Sequence, residues 1–348
     1  MATEDYAAAH RAGSAIACFF PDSATAMFFR QPASLPERIG FLLVPRFSLI
    51  GFAAWIDPLR SANRMSGRTL YSWHIVSKDG GPVTASSGVP VMPEASIDNA
   101  PPLDAVVVVA GLDGHSYDEK PVFAWLRKLA RKGVEIGASS LGPYVLAKAG
   151  LLDGYRCTVH WENIAGFAEA FPELDVTAEI FEIDRDRFTC SGGIAGLDMM
   201  LHLIASQHGA ALAAQVSDQF IHDRIRDRHD RQRMALPARL GVRHPKLVAV
   251  IQRMEKSLEE PVTRAKLARE VGLSTRQLER LFRKYLGCTP TRHYLELRLE
   301  HARRLLLQTD MSVLDVALAC GFVSASHFSK CFRELFGRTP RAERGMAA

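Results

Sequence analysis

The sequence predicts an α/β sandwich with a mostly parallel sheet, followed by an all-α tandem helix-turn-helix domain. Three observations carry this. At 348 residues the chain is long for one domain and suggests two. Strand-like and helix-like stretches alternate over residues 38–208, the pattern of a parallel sheet covered by helices. Residues 236–348 hold 21 Lys/Arg against 11 Asp/Glu, whereas residues 1–235 hold 22 against 27. The overall charge of +5 therefore conceals an acidic front and a basic tail, as expected when a polyanion-binding module follows something else. With 47% hydrophobic and 23% charged residues, the composition excludes a disordered or membrane-embedded chain.

The expected organisation is a flexible leader over 1–36, a first domain over 37–215, a charged connector over 216–240 and a second domain over 241–348. No apolar run reaches the roughly 18–20 residues of a membrane span. The patch Ala15–Phe20 is too short for a signal-peptide core and is cut by Pro21 and Asp22. The six cysteines (18, 157, 190, 288, 320, 331) form no CxxC pair and no zinc-ligand spacing. They read as buried reduced thiols of a cytoplasmic protein, and neither a metal nor a cofactor is expected.

In the first domain, Ile39–Val44 reads as a strand, Ser48–Asn63 as a helix and Tyr71–Ser77 as an alternating strand. The run Ala105–Ala110 is continuously apolar, as in a strand covered on both faces. A helix over Glu119–Arg131 and a strand over Val134–Ser139 follow. That strand runs into Ser140, turns at Leu141–Gly142 and restarts as a helix through Tyr144–Ala149. Such a turn pushes Ser140 out at the carboxyl edge of the sheet, where parallel sheets place their sites. The arrangement suits a nucleophile with an oxyanion hole, a carboxylate-binding nest or a plain turn. His160, in Thr158–Asn163, follows a strand-like segment and is either structural or within reach of the turn.

The run "GASSLGPYVLAKAGLLDGYRCTVHWEN" resembles the central motif of the PfpI-type, class I glutamine-amidotransferase-like domain, over roughly residues 38–210. In enzymes of that family the residue at the turn is a nucleophilic cysteine supported by an acid. Here Ser140 stands in its place, and the acid position matches Asp57. A hydroxyl is far less acidic than a thiol and needs an adjacent base, so the reading is a retained pocket without catalysis, a small-molecule sensor. Ser139, Ser140 and Arg60 are candidates for a carboxylate. Phe47, Trp55, Tyr144 and Trp161 are either core or aromatic walls for a quaternary ammonium, and Asp57 or Glu162 would hold an amine. The expected ligand is a zwitterion such as betaine, carnitine or a basic amino acid.

Phe220–Arg233 alternates charges densely and reads as a solvated helix face or connector, and His244–Leu258 as a helix. Then the chain repeats itself. An offset of fifty aligns Ser274 with Ser324, Leu278 with Phe328, Arg280 with Lys330, Phe282 with Phe332, Arg283 with Arg333 and Gly287 with Gly337. Thr289-Pro290 matches Thr339-Pro340, and Ala268-x-x-x-Gly272 matches Ala317-x-x-x-Gly321 after a one-residue gap. Each copy reads helix, glycine turn, serine-capped helix: Leu267–Val271 then Ser274–Leu286, and Val313–Cys320 then Ser324–Phe336. Between them a helix capped by Thr289 carries the stripe Leu295, Leu299, Ala302 and Leu306 to about Gln308. At 1.5 Å per residue it is a bar of roughly 27 Å, suited to presenting two recognition helices to successive major grooves about 34 Å apart.

Residues 244–341, ending in "ACGF.S.SHFSK.FR..FG.TP", resemble the AraC-type transcription-regulator DNA-binding domain. The resemblance places Ser274, Arg276, Gln277, Glu279 and Arg280 on the first recognition helix. On the second it places Ser324, Ala325, Ser326, Ser329 and Lys330. Arg283, Lys284 and Arg333 are read as phosphate contacts. "HWEN", "DPLRSAN" and "DRFTCSGG" are similar to the branch controlling choline, betaine, carnitine or arginine catabolism. The implied protein is a ligand-responsive activator and not an enzyme. Its implied partners are double-stranded promoter or operator DNA, a small-molecule effector and RNA polymerase, with a homodimer left open and no membrane. The competing readings are a DNA-tethered serine amidase with Ser140 as nucleophile and His160 as base, and a nucleoid-type architectural protein.

Overall fold

The run of valines at Ala105–Val109 is buried at every position and forms the middle of a seven-stranded sheet. Chain order gives β1 (Glu37–Leu43), α1 (Leu49–Ser66), β2 (Tyr71–Ser77), β3 (Val83–Thr84), β4 (Pro90–Val91), β5 (Ala95–Ser96) and β6 (Ala105–Val109). Then come α2 (Lys120–Arg131), β7 (Glu135–Ser139), α3 (Gly142–Lys148), β8 (Arg156–Thr158), α4 (Ile164–Ala170), β9 (Asp175–Thr177), β10 (Phe181–Asp184) and β11 (Arg187–Cys190). Helices α5 (Ala195–His208) and α6 (Ala210–Gln219) complete this part. The sheet runs β10-β11-β7-β6-β1-β2-β5 and is parallel throughout except for the edge hairpin β10–β11. The mostly parallel sandwich expected from the alternation is the architecture found. This computed structural model describes residues 34–345. Residues 1–33 of the expected leader, with the Ala15–Phe20 patch and Cys18, lie outside them.

Register fixes where the site lies. Leu43 pairs with Val109, Val109 with Ser139 and Ser139 with Cys190, so four strands end in one row. The chain leaves all four at the same carboxyl edge. Below that edge, Phe41, Trp55, Leu59, Phe188, Met199 and Ile204 fill the layer between sheet and helices.

The contacts divide the described residues into two compact units: residues 34–164 with Phe171–Gln232, and Ala165–Ala170 with residues 233–345. In the first unit, the charged segment 220–233 is not a helix. Its residues are irregular and bonded to the sheet's edge: Ile180 donates to the Arg228 carbonyl, and Glu179 bridges Arg231. Alternating charge misleads here because the side chains have specific partners. Asp198, completely buried, accepts from His222 Nε2 at 2.8 Å, the Arg226 amide at 2.8 Å and Arg226 Nε at 2.8 Å.

The second unit is helical: α7 (Leu236–Leu240), α8 (Pro245–Glu255), α9 (Arg264–Glu270), α10 (Thr275–Leu286), α11 (Pro290–Gln308), α12 (Val313–Ala319), α13 (Ala325–Phe336) and α14 (Pro340–Arg344). Two apolar clusters hold it. One gathers Leu247, Ile251, Leu267, Leu278 and Phe282, and the other Leu306, Val316, Phe322, Phe328 and Phe332. The stripe on α11 divides between them: Leu299, Ala302 and Leu306 are buried in the second cluster, Leu295 only partly, and Tyr294 packs into the first. Cys157, Cys190, Cys320 and Cys331 are free and buried; Cys288 is free but only half-buried, a correction to the expectation of buried thiols throughout. Among the described residues no helix is long and apolar enough to cross a membrane.

Candidate ligand site and DNA-binding surface

Ser140 sits at φ +59°, in the left-handed region that a residue with a Cβ rarely occupies. Two backbone bonds hold it there: its own N–H donates to the Cys190 carbonyl at 2.9 Å, and its carbonyl accepts from the His160 amide at 3.4 Å. The strand, sharp turn and helix expected around it are β7, Ser140–Leu141 and α3.

Glycines let neighbouring loops approach this turn. A Cβ on Gly192, itself at φ +93°, would lie 2.7 Å from Ser140 Cβ. One on Gly114 would lie 2.6 Å from Leu141 Cβ, and one on Gly111 would lie 2.9 Å from the Ser48 amide nitrogen. Gly114 and Gly192 therefore form close walls of the elbow, whereas Gly111 lets its own loop approach the segment that leads from β1 into α1. The glycine pair 192–193, one residue beyond the end of β11, is the signal in the sequence that marks the close approach to Ser140.

The candidate ligand residues fall into three groups. Ser139, Ser140, His160, Trp161 and Tyr144 gather at or beside the elbow. Ser139 is completely buried and its Oγ has no hydrogen-bond partner. Burial lowers His160 below the usual imidazole range against the opposing charge of Glu162. Its ring lies 5.5 Å from that of Trp161, which is half-buried. Tyr144 is buried with its ring 6.2 Å from His115, and burial raises its hydroxyl far above the usual phenol range. Phe47 and Trp55 are core instead: Phe47 is wholly buried edge-on to Phe52, and Trp55 lies against Phe188. Asp57 and Arg60 are placed elsewhere. The first turn of α1 faces the elbow loops, with Gly51 beside the Gly193 amide. Asp57 is six residues further along, about 9 Å at 1.5 Å per residue, and Arg60 about 14 Å. They bind each other at 3.2 Å on the surface.

No base serves the Ser140 hydroxyl among the described residues; its link to His160 is through the backbone. His160 Nδ1 faces Glu162 instead, at 3.7 Å from its carboxylate.

In the second unit both recognition helices start as expected. Ser274 caps α10 in a reciprocal box with Gln277: the Gln277 amide donates to Ser274 Oγ at 3.2 Å, and the Ser274 amide donates to Gln277 Oε1 at 2.8 Å. Ser324 caps α13 by accepting from the His327 amide. Gly272 and Gly321, at φ +63° and +71°, make the two turns. Arg276, Arg280 and Arg283 stand exposed along α10, and Ser326, Lys330 and Arg333 along α13, with Ala325 and Ser329 half-buried. Two α10 side chains are engaged within the protein. Gln277 belongs to the capping box, and Glu279 binds Arg264 at 2.5 Å.

Such a pairing, a catalytically incomplete elbow domain followed by a duplicated helix-turn-helix, defines a transcription regulator with a sensor-type domain. The chain matches the DJ-1/PfpI family over residues 37–206 and a helix-turn-helix domain family over 267–346. It is 51% identical over 309 residues to the HTH-type transcriptional regulator GbdR of Pseudomonas aeruginosa, covering 89% of this chain and 84% of that one. The HTH-type transcriptional regulator CdhR of the same species is 49% identical, covering 90% and 93%. GlxA of Rhizobium meliloti is 41% identical, covering 87% and 94%. The chain belongs to this family of AraC-type transcriptional regulators carrying a DJ-1/PfpI domain. It is a DNA-binding regulator, not an enzyme.

Proposed function

We propose that the first unit is an effector sensor and that the protein activates catabolic genes for a small zwitterion of the betaine, carnitine or arginine type. The observation that carries this is the Ser140 elbow: a strained, glycine-walled turn kept at the carboxyl edge of the sheet although no base among the described residues serves its hydroxyl. Strain of this kind persists where the surroundings impose it, and it marks functional sites. The ligand's carboxylate would meet the elbow, and its ammonium group the Trp161 face. Residues 37–232 are the sensing region, since the part of the expected connector before Arg233 packs with the first unit; 233–240 are the connector and 241–348 the DNA reader. The protein acts in the cytoplasm, where effector binding shifts a pre-existing equilibrium toward an arrangement that engages RNA polymerase. The proposed site comprises Ser139, Ser140, Tyr144, His160 and Trp161; Phe47 belongs to the core, and Asp57 and Arg60 to the surface of α1.

Titration calorimetry of the full chain against glycine betaine, carnitine and arginine tests the reading. Saturable heat with one of the three is expected, reduced in Ser140→Ala. No saturable binding by any of them overturns the assignment. Release of a hydrolysis product that is abolished in Ser140→Ala would instead favour the amidase.

A further inference from the structure

Helix α11 is more than a spacer, because two of its side chains hold the loop that leads into the first helix-turn-helix and the turn of the second. Tyr294 and Arg298 are four residues apart and so share a face. The Tyr294 hydroxyl donates to the Ser257 carbonyl and accepts from the Val262 amide at 3.2 Å. It thereby brackets the loop that joins α8 to α9 and leads into the first motif. Arg298 donates through Nε to the Cys320 carbonyl and through Nη2 to the Gly321 carbonyl, both at 2.6 Å, and its guanidinium lies 4.1 Å from the centre of the Phe322 ring. That is the turn between α12 and α13 in the second motif.

The two held segments also meet each other. A Cβ on Gly321 would stand 2.6 Å from both the Glu259 carbonyl oxygen and Pro261 Cδ, so the second motif's turn abuts the loop that leads into the first motif. The seam thus has three parts: loop, turn and one face of α11. Among the described residues, one side-chain bond reaches the first motif's own turn, from Lys246 Nζ to the Gly272 carbonyl at 3.2 Å.

We propose that Tyr294 and Arg298 are positioning residues that set the distance and phase between recognition helices α10 and α13. They thereby make the protein selective for the spacing between the two halves of its operator. One base pair added between the halves moves the second by roughly 3.4 Å and turns it by roughly 35° about the duplex. A closed seam cannot follow that displacement, whereas a loosened one can.

The test uses the full-length protein and an operator that it selects itself from a randomised duplex pool. The two halves are then moved apart or together by one and two base pairs. Wild type is expected to lose about tenfold or more in affinity per step, comparable to a mismatched base pair. Tyr294→Phe, which keeps the ring and removes only the hydroxyl, and Arg298→Met are expected to flatten this to about threefold or less, a few tenths of the cost of a mismatch. Both should leave unchanged the affinity for a duplex carrying the first half alone, and Arg298→Lys should recover part of the steepness. An equal loss of affinity at every spacing, with a lowered melting temperature, would show a purely structural role and overturn the proposal. So would an undiminished spacing dependence in Tyr294→Phe, or a wild-type protein indifferent to spacing.

Discussion

The side-chain amide of Gln232 donates to the carbonyl of Val159 at 3.1 Å, one residue before the histidine whose backbone holds Ser140. The same nitrogen reaches Thr158 Oγ1 at 3.1 Å and the Glu179 carbonyl at 2.8 Å. Gln232 is the last residue of the first unit, so the segment leaving that unit is fastened beside the elbow.

That fastening has two anchors of unequal strength. Gln232→Ala removes neutral bonds worth roughly 0.5–1.5 kcal/mol each and also removes an Oε1 that is buried without a partner. The expected cost is about 1 kcal/mol, confined to residues 222–232 and visible as faster hydrogen exchange at the Ile180 amide. Asp198→Ala should cost more, roughly 3 kcal/mol, because it strips a fully buried carboxylate from Arg226 and His222. Urea denaturation of the two variants separates these values; equal costs would mean that the carboxylate is not the principal anchor.

Acidity is expected to tune stability through Glu37, at the opposite edge of the sheet. Burial, with the charges of Glu135 and Asp104 adding to it, raises its carboxyl to about 7 against a hydrogen bond from Gln207. The folded state therefore holds this proton more tightly than the unfolded chain does. The resulting stability is fully present below about pH 4.5 and is lost as pH rises toward 7, roughly 3 kcal/mol in all. Glu37→Gln keeps an acceptor for Gln207 and removes the charge. Its melting temperature should exceed wild type at pH 8, and its slope between pH 5 and 8 should be flatter. A parallel pair of curves would refute the assignment.

Backbone strain at the elbow can be read from two glycine exchanges with opposite signs. Ser140→Gly relieves a left-handed conformation that costs a residue with a Cβ roughly 1–2 kcal/mol, offset by the greater freedom of unfolded glycine. A gain of up to about 1 kcal/mol is expected from chemical denaturation. Gly192→Ala should lose roughly 1–3 kcal/mol, since its Cβ meets Ser140 in a conformation already unfavourable to it. Were Ser140→Gly clearly destabilising, the hydroxyl would be contributing a structural bond that offsets the strain.

Much of this molecule is legible in its residues, for identifiable reasons. The run Ala105–Val109 announces a doubly covered strand because nothing polar interrupts it, and the paired Ser-x-x-x-Leu/Phe and Gly-x-Thr-Pro positions announce two copies of one motif. Periodicity says which face of α10 is exposed. It does not say that Gln277 turns back to cap its own helix or that Glu279 is taken by Arg264, because those choices depend on side-chain partners fifteen residues away or on local cap geometry. Asp57 is a site candidate by its match to a family position and Arg60 by its charge, yet helical rise carries both past the elbow and onto each other. The segment 220–233 shows the same limit: its charges alternate as on a solvated face, and only the fold reveals Asp198 waiting beneath them.

Sequence readout and phosphate attraction should separate between Arg280 and Arg283, exposed three residues apart on α10. A bidentate arginine–guanine contact contributes roughly 1–3 kcal/mol of discrimination, so Arg280→Ala should weaken specific binding by roughly 5- to 150-fold. Its nonspecific affinity should change little. Arg283→Ala should weaken both kinds of binding and lower the slope of log affinity against log salt by about 0.9. Gel-shift titrations of the full chain on its selected operator and on an unrelated duplex, at several salt concentrations, supply all four quantities. If Arg280→Ala weakens both duplexes equally and reduces the salt slope, then Arg280 contacts a phosphate, and base recognition on α10 falls to Arg276, the other exposed arginine of its first two turns.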